Sequence, residues 1–307
     1  TESIRIPISG AAADIGARLF TASTPRGVVL VHPATAVTQG YYEAFACYLC
    51  GLGLHVVTYD YRGTGASRPA QLRGFEVSMS DWMLEDVGAV TRWARLRFPA
   101  LPLLAVGHSV GGHAIGLSPD SAHLRAALLV ATHAGITRTI RGRAEQVRVW
   151  CVMRLLAPLL CGLLGYMPGR RIGLGEDLPR GVMLEWSRWT TLPRYFFDDP
   201  ALDAARRMAR VAIPLLVFGF DDDPWANPRA MDILLSGYKA APLERRQFDA
   251  RSLGLPGIGH MGFFRRRCEA SLWPEAGAWL LRQLANETHA APAPGGGLPS
   301  PCDAHAD

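Results

Sequence analysis

Short apolar runs that are typical of buried strands recur along this chain. They lie at residues 28–33, 55–59, 103–106, 124–132 and 214–220, and the more polar segment 243–248 is also strand-like. Alternating residues at Ile4 and Ile6, followed by the segment 17–20, predict an opening β-hairpin. Segments with helical periodicity separate the later runs, and 271–285 predicts a C-terminal helix. Strands that alternate with helices indicate an α/β domain with a mostly parallel sheet flanked by helices.

The connection between the apolar runs at 124–132 and 214–220 spans about 80 residues, which is too long for an ordinary loop. It predicts a helical cap over 136–209. Its most apolar stretch, 147–167, is interrupted by Pro158 and Gly162, so we expect no stable membrane span. Two interpretations stay open, a cap packed on the core and a lid that contacts lipid or binds an acyl chain. Arginines that would suit an anionic interface or substrate flank this stretch: Arg138, Arg141, Arg143, Arg170 and Arg171.

Composition adds limits on size, compartment and partners. With 307 residues and 49% hydrophobic content, the chain can bury a large core, predicted at 1–135 and 210–286. The tail at 287–307 is rich in Ala, Pro and Gly and is predicted to be disordered. The net charge of +5 is modest and dispersed, so no nucleic-acid partner is expected. Residues 1–7 lack the apolar core of a signal peptide, and the six scattered cysteines suit free thiols in a reducing cytoplasm.

The pentapeptide at 107–111 has the pattern G-x-S-x-G and directly follows the apolar run 103–106. This is the signature of a nucleophile elbow, in which a serine sits on a sharp strand-to-helix turn. The flanking glycines are needed because only residues without a side chain let the strand and helix pass so closely. Ser109 is therefore a candidate nucleophile, and the alternative is an ordinary serine that caps a helix.

A nucleophilic serine needs a base, which follows an acid in the chain order that accompanies this elbow. Three histidines lie late enough, and His289 and His305 fall in or beside the predicted tail. His260 therefore is the candidate base, in a glycine-rich loop at 257–262. The candidate acids follow the strand-like run 214–220 and are Asp221, Asp222 and Asp223.

These motifs resemble the α/β-hydrolase superfamily. The matching patterns are D-x-R-G-x-G-x-S at 60–67 and G-H-S-x-G-G at 107–112, together with the acid and base loops. More narrowly, the chain is similar to bacterial predicted esterases near the serine-aminopeptidase and monoacylglycerol-lipase branch. In these, H-P-A-T, D-Y-R-G and G-H-M-G-F-F-R recur, here at 32–35, 60–63 and 259–265. The glycine pair at 63–65 lacks the third glycine of a dinucleotide-binding loop, because Arg68 takes its place.

The resemblance implies a serine hydrolase that cleaves a carboxylic ester or thioester of an apolar acyl substrate through an acyl-enzyme. Such an enzyme acts on a small molecule and needs no cofactor or metal. An acyltransferase or an aminopeptidase on the same fold is the alternative, because fold does not select the substrate. A non-catalytic binding protein is a third interpretation, which the intact set of Ser, Asp and His disfavours.

The resemblance also implies roles for individual residues. Ser109 would be the nucleophile and His260 the base. Asp222 is favoured as the acid, because a glycine three residues before the acid is the usual spacing, and Asp223, which precedes Pro224, is second. The oxyanion hole would use the backbone N–H groups of Ala34 and Val110, since Pro33 has none. The residues expected to contact substrate are Trp225, Met261 and Phe263.

Overall fold

The apolar runs form the strands of an eight-stranded sheet in the computed structural model, which describes residues 1–8, 10 and 13–285. The strand order is β1-β2-β4-β3-β5-β6-β9-β10, parallel from β4 to β10 and antiparallel at β1 and β2. A separate antiparallel ribbon pairs β7 with β8. The strands are β1 Glu2–Ile6, β2 Ile15–Phe20, β3 Gly27–His32, β4 Leu54–Tyr59, β5 Leu103–His108, β6 Leu124–Val130, β7 Tyr166–Met167, β8 Leu178–Pro179, β9 Leu215–Phe220 and β10 Leu243–Phe248.

Helices cover both faces of the sheet, so every residue of β3, β4, β5 and β9 is buried. The helices are α1 Glu43–Gly51, α2 Met79–Asp81, α3 Val87–Arg97, α4 Val110–Leu117, α5 Arg143–Cys151, α6 Ala157–Leu164, α7 Gly169–Ile172, α8 Arg180–Trp189, α9 Ala204–Ala209, α10 Pro228–Leu235 and α11 Trp273–Ala285. The edge strand β10 is partly exposed and carries Arg245 and Arg246, charges that discourage further strand pairing. The predicted mostly parallel sheet with flanking helices is confirmed.

The segment between β6 and β9, residues 131–214, is here called the insert. It holds α5 to α9 and the β7–β8 ribbon. Its most apolar element is a helix continuous from α5 through a π-helical turn, Val152–Leu156, to α6. The helix Arg143–Leu164 has 22 residues, and an 18-residue window of it has a mean hydropathy of 1.8. By length and composition alone, it is long and apolar enough to cross a membrane.

The expectation that Pro158 and Gly162 would interrupt this helix is therefore wrong. Pro158 lacks the N–H that would bond the Arg154 carbonyl in an α-helix. Arg154 lies in the π turn, where each carbonyl bonds the N–H five residues later, so the helix continues without a Pro158 N–H. One face of the helix packs inward through Met153, Ala157 and Cys161. The opposite face is 57–65% exposed at four apolar side chains, which are Val147, Leu155, Leu159 and Leu163.

Candidate active site

A strained turn lies between β5 and α4, at Ser109. Its backbone has φ 53° and ψ −112°, a conformation that costs a non-glycine residue about 1–3 kcal/mol. A Cβ on Gly107 would lie 2.6 Å from the backbone of Gly111, and a Cβ on Gly111 would collide with the His32 carbonyl oxygen. The glycines are therefore required by close backbone contact, as the elbow pattern predicts.

Ser109 contacts a histidine and, through it, a buried carboxylate. His260 Nε2 lies 3.1 Å from Ser109 Oγ, and His260 Nδ1 lies 2.7 Å from Asp223 Oδ2. Asp223 is fully buried and also accepts hydrogen bonds from the N–H groups of Trp225 and Ala226, at 2.8 and 3.0 Å. Burial by itself raises the pKa of Asp223, but the contacts with His260 and Ala226 outweigh it and hold the pKa at about 2.

The favoured acid, Asp222, does not contact the histidine ring. Its carboxylate accepts the backbone N–H groups of Ile258 and Gly259, at 2.7 and 2.8 Å, and so holds the loop before His260. The assignment to Asp222 is therefore corrected to Asp223. The physical reason is a turn: the Asp223 N–H donates to the Phe220 carbonyl, so the three aspartates do not alternate as they would on an extended strand.

A hydrogen-bonded chain runs from the loop after β3 to the loop that carries His260. The Ala34 N–H donates to Tyr42 Oη at 2.8 Å, and Tyr42 Oη lies 3.0 Å from His108 Nδ1. His108 Nε2 lies 2.9 Å from the His260 carbonyl oxygen and donates to it, because a carbonyl only accepts. The predicted role of Ala34 as an oxyanion donor is thereby contradicted, since its N–H is bonded to Tyr42. Val110, at the first position of α4, keeps its predicted role as an expectation.

A cavity of about 120 Å³ lies over Ser109, His260 and Val110. Trp225 and Met261 line it, as predicted, and the Trp225 ring centroid lies 5.0 Å from that of His260. Phe263 is fully buried among aromatic core residues and does not line the cavity, so that prediction is wrong. The insert supplies nine lining residues, which are His133, Gly135, Ile136, Ile140, Val149, Met153, Trp186, Thr190 and Tyr195.

Four further histidines surround this region, here called the buried histidines. They are His32, His108, His113 and His133. Burial lowers the pKa of the first three to about 3 and that of His133 to about 4, so all four are neutral near pH 7. Sequence reasoning overlooked the two that line the cavity, His113 and His133. Position gave a signal for both, because His113 lies one helical turn after Ser109 and His133 closely follows β6.

The acid loop is tied to the insert. Trp225 Nε1 donates to Glu145 Oε1 at 2.9 Å, and Glu145 also pairs with Arg148 at 2.6 Å. Both residues lie on α5, the first part of the long apolar helix. Helix α5, which lines the cavity through Val149, is thus held by a hydrogen bond to the loop that carries Asp223. Within residues 1–8, 10 and 13–285, no three His, Cys, Asp or Glu side chains are grouped so that they could hold a metal ion.

Comparison with known proteins agrees with this architecture. Residues 23–167 match the model of the family described as "Serine aminopeptidase, S33". Human monoglyceride lipase is 32% identical over 91 residues, which are 29% of this chain and 28% of that protein. The chain thus spans less than a third of this curated relative.

Solved structures match over almost the whole chain. A soluble variant of monoglyceride lipase from Saccharomyces cerevisiae, in complex with a substrate analog, has a TM-score of 0.64 at 14% identity. The match covers 92% of this chain and 94% of that one. A thermostable carboxyl esterase from Bacillus coagulans has a TM-score of 0.60 at 15% identity, covering 92% and 98% of the two chains. At such identities the likeness establishes the fold alone, which is that of the α/β-hydrolases.

Proposed function

We propose that this α/β-hydrolase cleaves carboxylic esters through Ser109, His260 and Asp223. The observation that carries the proposal is the continuous contact from the Ser109 hydroxyl to the His260 ring and from that ring to the buried Asp223 carboxylate. A serine hydroxyl is a weak nucleophile until an adjacent base accepts its proton. The base in turn needs a third group that fixes its tautomer, and Asp223 supplies it through Nδ1.

The reaction follows from these contacts. Ser109 Oγ attacks the ester carbonyl while His260 Nε2 takes its proton, and the same proton passes to the leaving alcohol. Water then attacks the acyl-enzyme and regenerates the serine. The oxyanion needs donors that are not already bonded. We assign Val110 N–H and, in place of Ala34, the N–H of Thr35, which lines the cavity and has no hydrogen-bond partner among the described residues.

The cavity favours a small apolar acyl or alcohol group. Its wall is largely formed by aliphatic and aromatic side chains from the insert, such as Ile140, Met153 and Trp186. A volume of about 120 Å³ is below the usual range for a drug-sized ligand, roughly 300–1,000 Å³. We therefore expect short acyl esters to be cleaved faster than long ones.

The test is hydrolysis of p-nitrophenyl esters with acyl chains from two to twelve carbons, together with fluorophosphonate labelling. Wild type should turn over the short esters and take up label at Ser109. Ser109→Ala should do neither. Ser236→Ala, which changes an exposed serine on the surface, is the matched control and should behave as wild type. Turnover that survives in Ser109→Ala would refute the proposal.

Labelling of Ser109 without ester turnover would favour the alternative functions, acyl transfer or aminopeptidase activity. Product analysis with alcohol or amine acceptors separates transfer from hydrolysis. An aminoacyl p-nitroanilide tests the amide bond.

We also propose that the long helix of the insert rests on an anionic lipid surface. Its exposed stripe of Val147, Leu155, Leu159 and Leu163 is apolar, and the opposite face is held by the protein. The predicted cap region, 136–209, carries twelve arginines and seven acidic residues, so charge adds attraction to anionic lipid. An amphipathic helix of this kind lies in the plane of the interface.

Vesicle flotation tests this contact. Wild type should float with vesicles of phosphatidylglycerol and phosphatidylcholine and less with phosphatidylcholine alone. The double variant Leu155→Ser, Leu159→Ser should lose most of the binding. Leu96→Ser is the matched control, since Leu96 is 84% exposed on α3, outside the insert. Equal binding by the double variant and the control would refute a role for this helix.

A further inference from the structure

One polar group in the cavity has no role in the proposed reaction, the Nε2 atom of His133. The His133 side chain lines the cavity and the residue is 8% exposed. Its ring stands perpendicular to that of His260, with the centroids 5.3 Å apart. Within the part of the chain that the structure describes, His133 Nε2 has no hydrogen-bond partner. A ring nitrogen on a residue that lines a cavity, and that bonds no protein atom, is available to a molecule that enters the cavity.

The protonation state of this ring follows from its neighbours. His133 Nδ1 lies 3.1 Å from the Ala131 carbonyl oxygen, and because a carbonyl only accepts, Nδ1 carries the proton. Burial lowers the pKa of His133 to about 4, so the ring carries no second proton near pH 7. Nε2 is therefore an acceptor, and only a donor can satisfy it.

The acceptor is held rigidly. The His133 carbonyl oxygen accepts a hydrogen bond from His113 Nε2 at 2.7 Å. The His113 ring is fixed by edge-on contacts with Tyr195 and Phe196, at centroid distances of 5.6 and 5.1 Å. Ala131, at φ 52°, adopts a left-handed backbone conformation that turns the chain after β6. His133 is thus positioned by elements on both sides of it and is not a loosely placed surface residue.

The chemistry of the cavity restricts the donor that can approach. Among the described residues no Asp or Glu lines the cavity, so an ammonium group would enter without a counter-charge, at high desolvation cost. A neutral donor avoids that cost, and a hydroxyl group is the smallest one that an ester substrate can carry.

We infer that His133 is a specificity-determining residue that accepts a hydrogen bond from a hydroxyl group of the substrate ester. The inference rests on the proposed esterase function and adds the substrate class, an ester with a free hydroxyl close to its scissile carbonyl. The hydroxyl belongs either to the alcohol part or to the acyl part of the ester, because His133 Nε2 offers the same chemistry to both.

Two pairs of isosteric esters distinguish these sources. On the alcohol side, 2-hydroxyethyl butanoate is compared with propyl butanoate. On the acyl side, methyl 3-hydroxybutanoate is compared with methyl 3-methylbutanoate. One hydrogen bond to a neutral group is worth about a tenfold change in rate. In wild type, kcat/KM should thus favour the hydroxylated member of one pair by about tenfold.

The variant His133→Asn retains an amide donor near the Ala131 carbonyl but removes the atom in the position of Nε2. The ratio of kcat/KM within the preferred pair should fall to about one, whatever happens to the absolute rates. His123→Asn, at an exposed histidine that does not line the cavity, is the matched control and should keep the tenfold ratio.

Three results overturn the inference. A ratio near one in both pairs for wild type, which cleaves both members, leaves the esterase function standing and removes the hydroxyl preference. A tenfold ratio that persists in His133→Asn assigns the preference to another residue. Absence of hydrolysis for all four esters overturns the inference, and if the p-nitrophenyl esters are not cleaved either, the proposed function falls with it. The first two results do not require the variant to fold as wild type, because the first uses wild type alone and the second uses a ratio.

Discussion

Replacement of single aspartates after β9 separates the acid seen in the structure from the one that the sequence favours. Asp223→Asn keeps the size of the side chain and removes its charge. At the site, an amide would face His260 Nδ1 at the 2.7 Å now taken by the carboxylate. An amide that presents its NH₂ group there forces the proton of the imidazole onto Nε2, where it can no longer accept the Ser109 proton.

The magnitude follows from the chemistry of that tautomer. In serine proteases the same exchange lowers kcat by about four orders of magnitude, or about 5.5 kcal/mol of transition-state stabilisation. We expect a loss of about 10³–10⁴ in kcat for Asp223→Asn. The two N–H groups of Trp225 and Ala226 still have an oxygen to bond, so the fold should remain.

Asp222→Asn is the matched comparison. Its carboxylate bonds the backbone N–H groups of Ile258 and Gly259, and an amide oxygen can still accept one of them. We expect a loss of about tenfold or less, from the weaker of these hydrogen bonds. The assay is pre-steady-state and steady-state hydrolysis of a short p-nitrophenyl ester, with circular dichroism as the control for folding. Equal losses in the two variants, or a larger loss in Asp222→Asn, would refute the assignment.

Three other predictions concern stability. Tyr42→Phe leaves the Ala34 N–H and His108 Nδ1 without their partner and should lower the free energy of unfolding by about 2 kcal/mol or more, measured in urea. Gly112→Ala places a Cβ within 2.6 Å of the Thr132 methyl group and should destabilise the protein by about 1–3 kcal/mol, with loss of ester turnover; wild-type stability would contradict the close packing. Acid should also destabilise the protein, because the buried histidines have folded pKa values of about 3 to 4, below the unfolded value, so the unfolded chain binds protons first as pH falls below about 6.5. Each buried histidine lowers the free energy of unfolding by about 1.4 kcal/mol per pH unit. The raised pKa values of the buried Asp60 and Asp86 and of the partly buried Glu185 oppose this loss for up to three of the histidines. Urea midpoints that stay constant as the pH is lowered from 6.5 to 4.5 would contradict this balance.

Most strands of the sheet could be predicted from the sequence, whereas fewer of the contacts at the candidate site could. Buried parallel strands appear as continuous apolar runs, so the segment predicted at 28–33 differs from β3 by only one residue at each end. The segment predicted at 243–248 coincides with β10, although this edge strand is partly exposed and not an apolar run. The predicted strand at 124–132 ends instead at Val130, where Ala131 turns out of the ladder. Such turns depend on local backbone conformation, which apolar patterning does not record.

The errors at the site and in the insert come from turns and hydrogen bonds between nearby residues, which the pattern of apolar and polar positions does not contain. Which of three adjacent aspartates reaches His260 depends on a turn that the strand pattern does not contain. The N–H of Ala34 is unavailable because Tyr42 takes it, a contact without a sequence signature. Continuity of the insert helix past Pro158 depends on a π turn, which residue propensities do not reveal.

The chain of hydrogen bonds from Ala34 to the His260 carbonyl has a consequence for how the protein can be handled. Its links join residues 8, 66 and 152 positions apart, so only a fragment that spans residues 34–260 contains the whole arrangement. We expect Ser109 and His260 to come within hydrogen-bond distance only when β3, β5 and the loops that carry Asp223 and His260 are all folded. Turnover would then be an all-or-none reporter of the native state. A simple colorimetric ester assay could rank refolding conditions, stabilising substitutions or storage buffers without any separate measurement of structure.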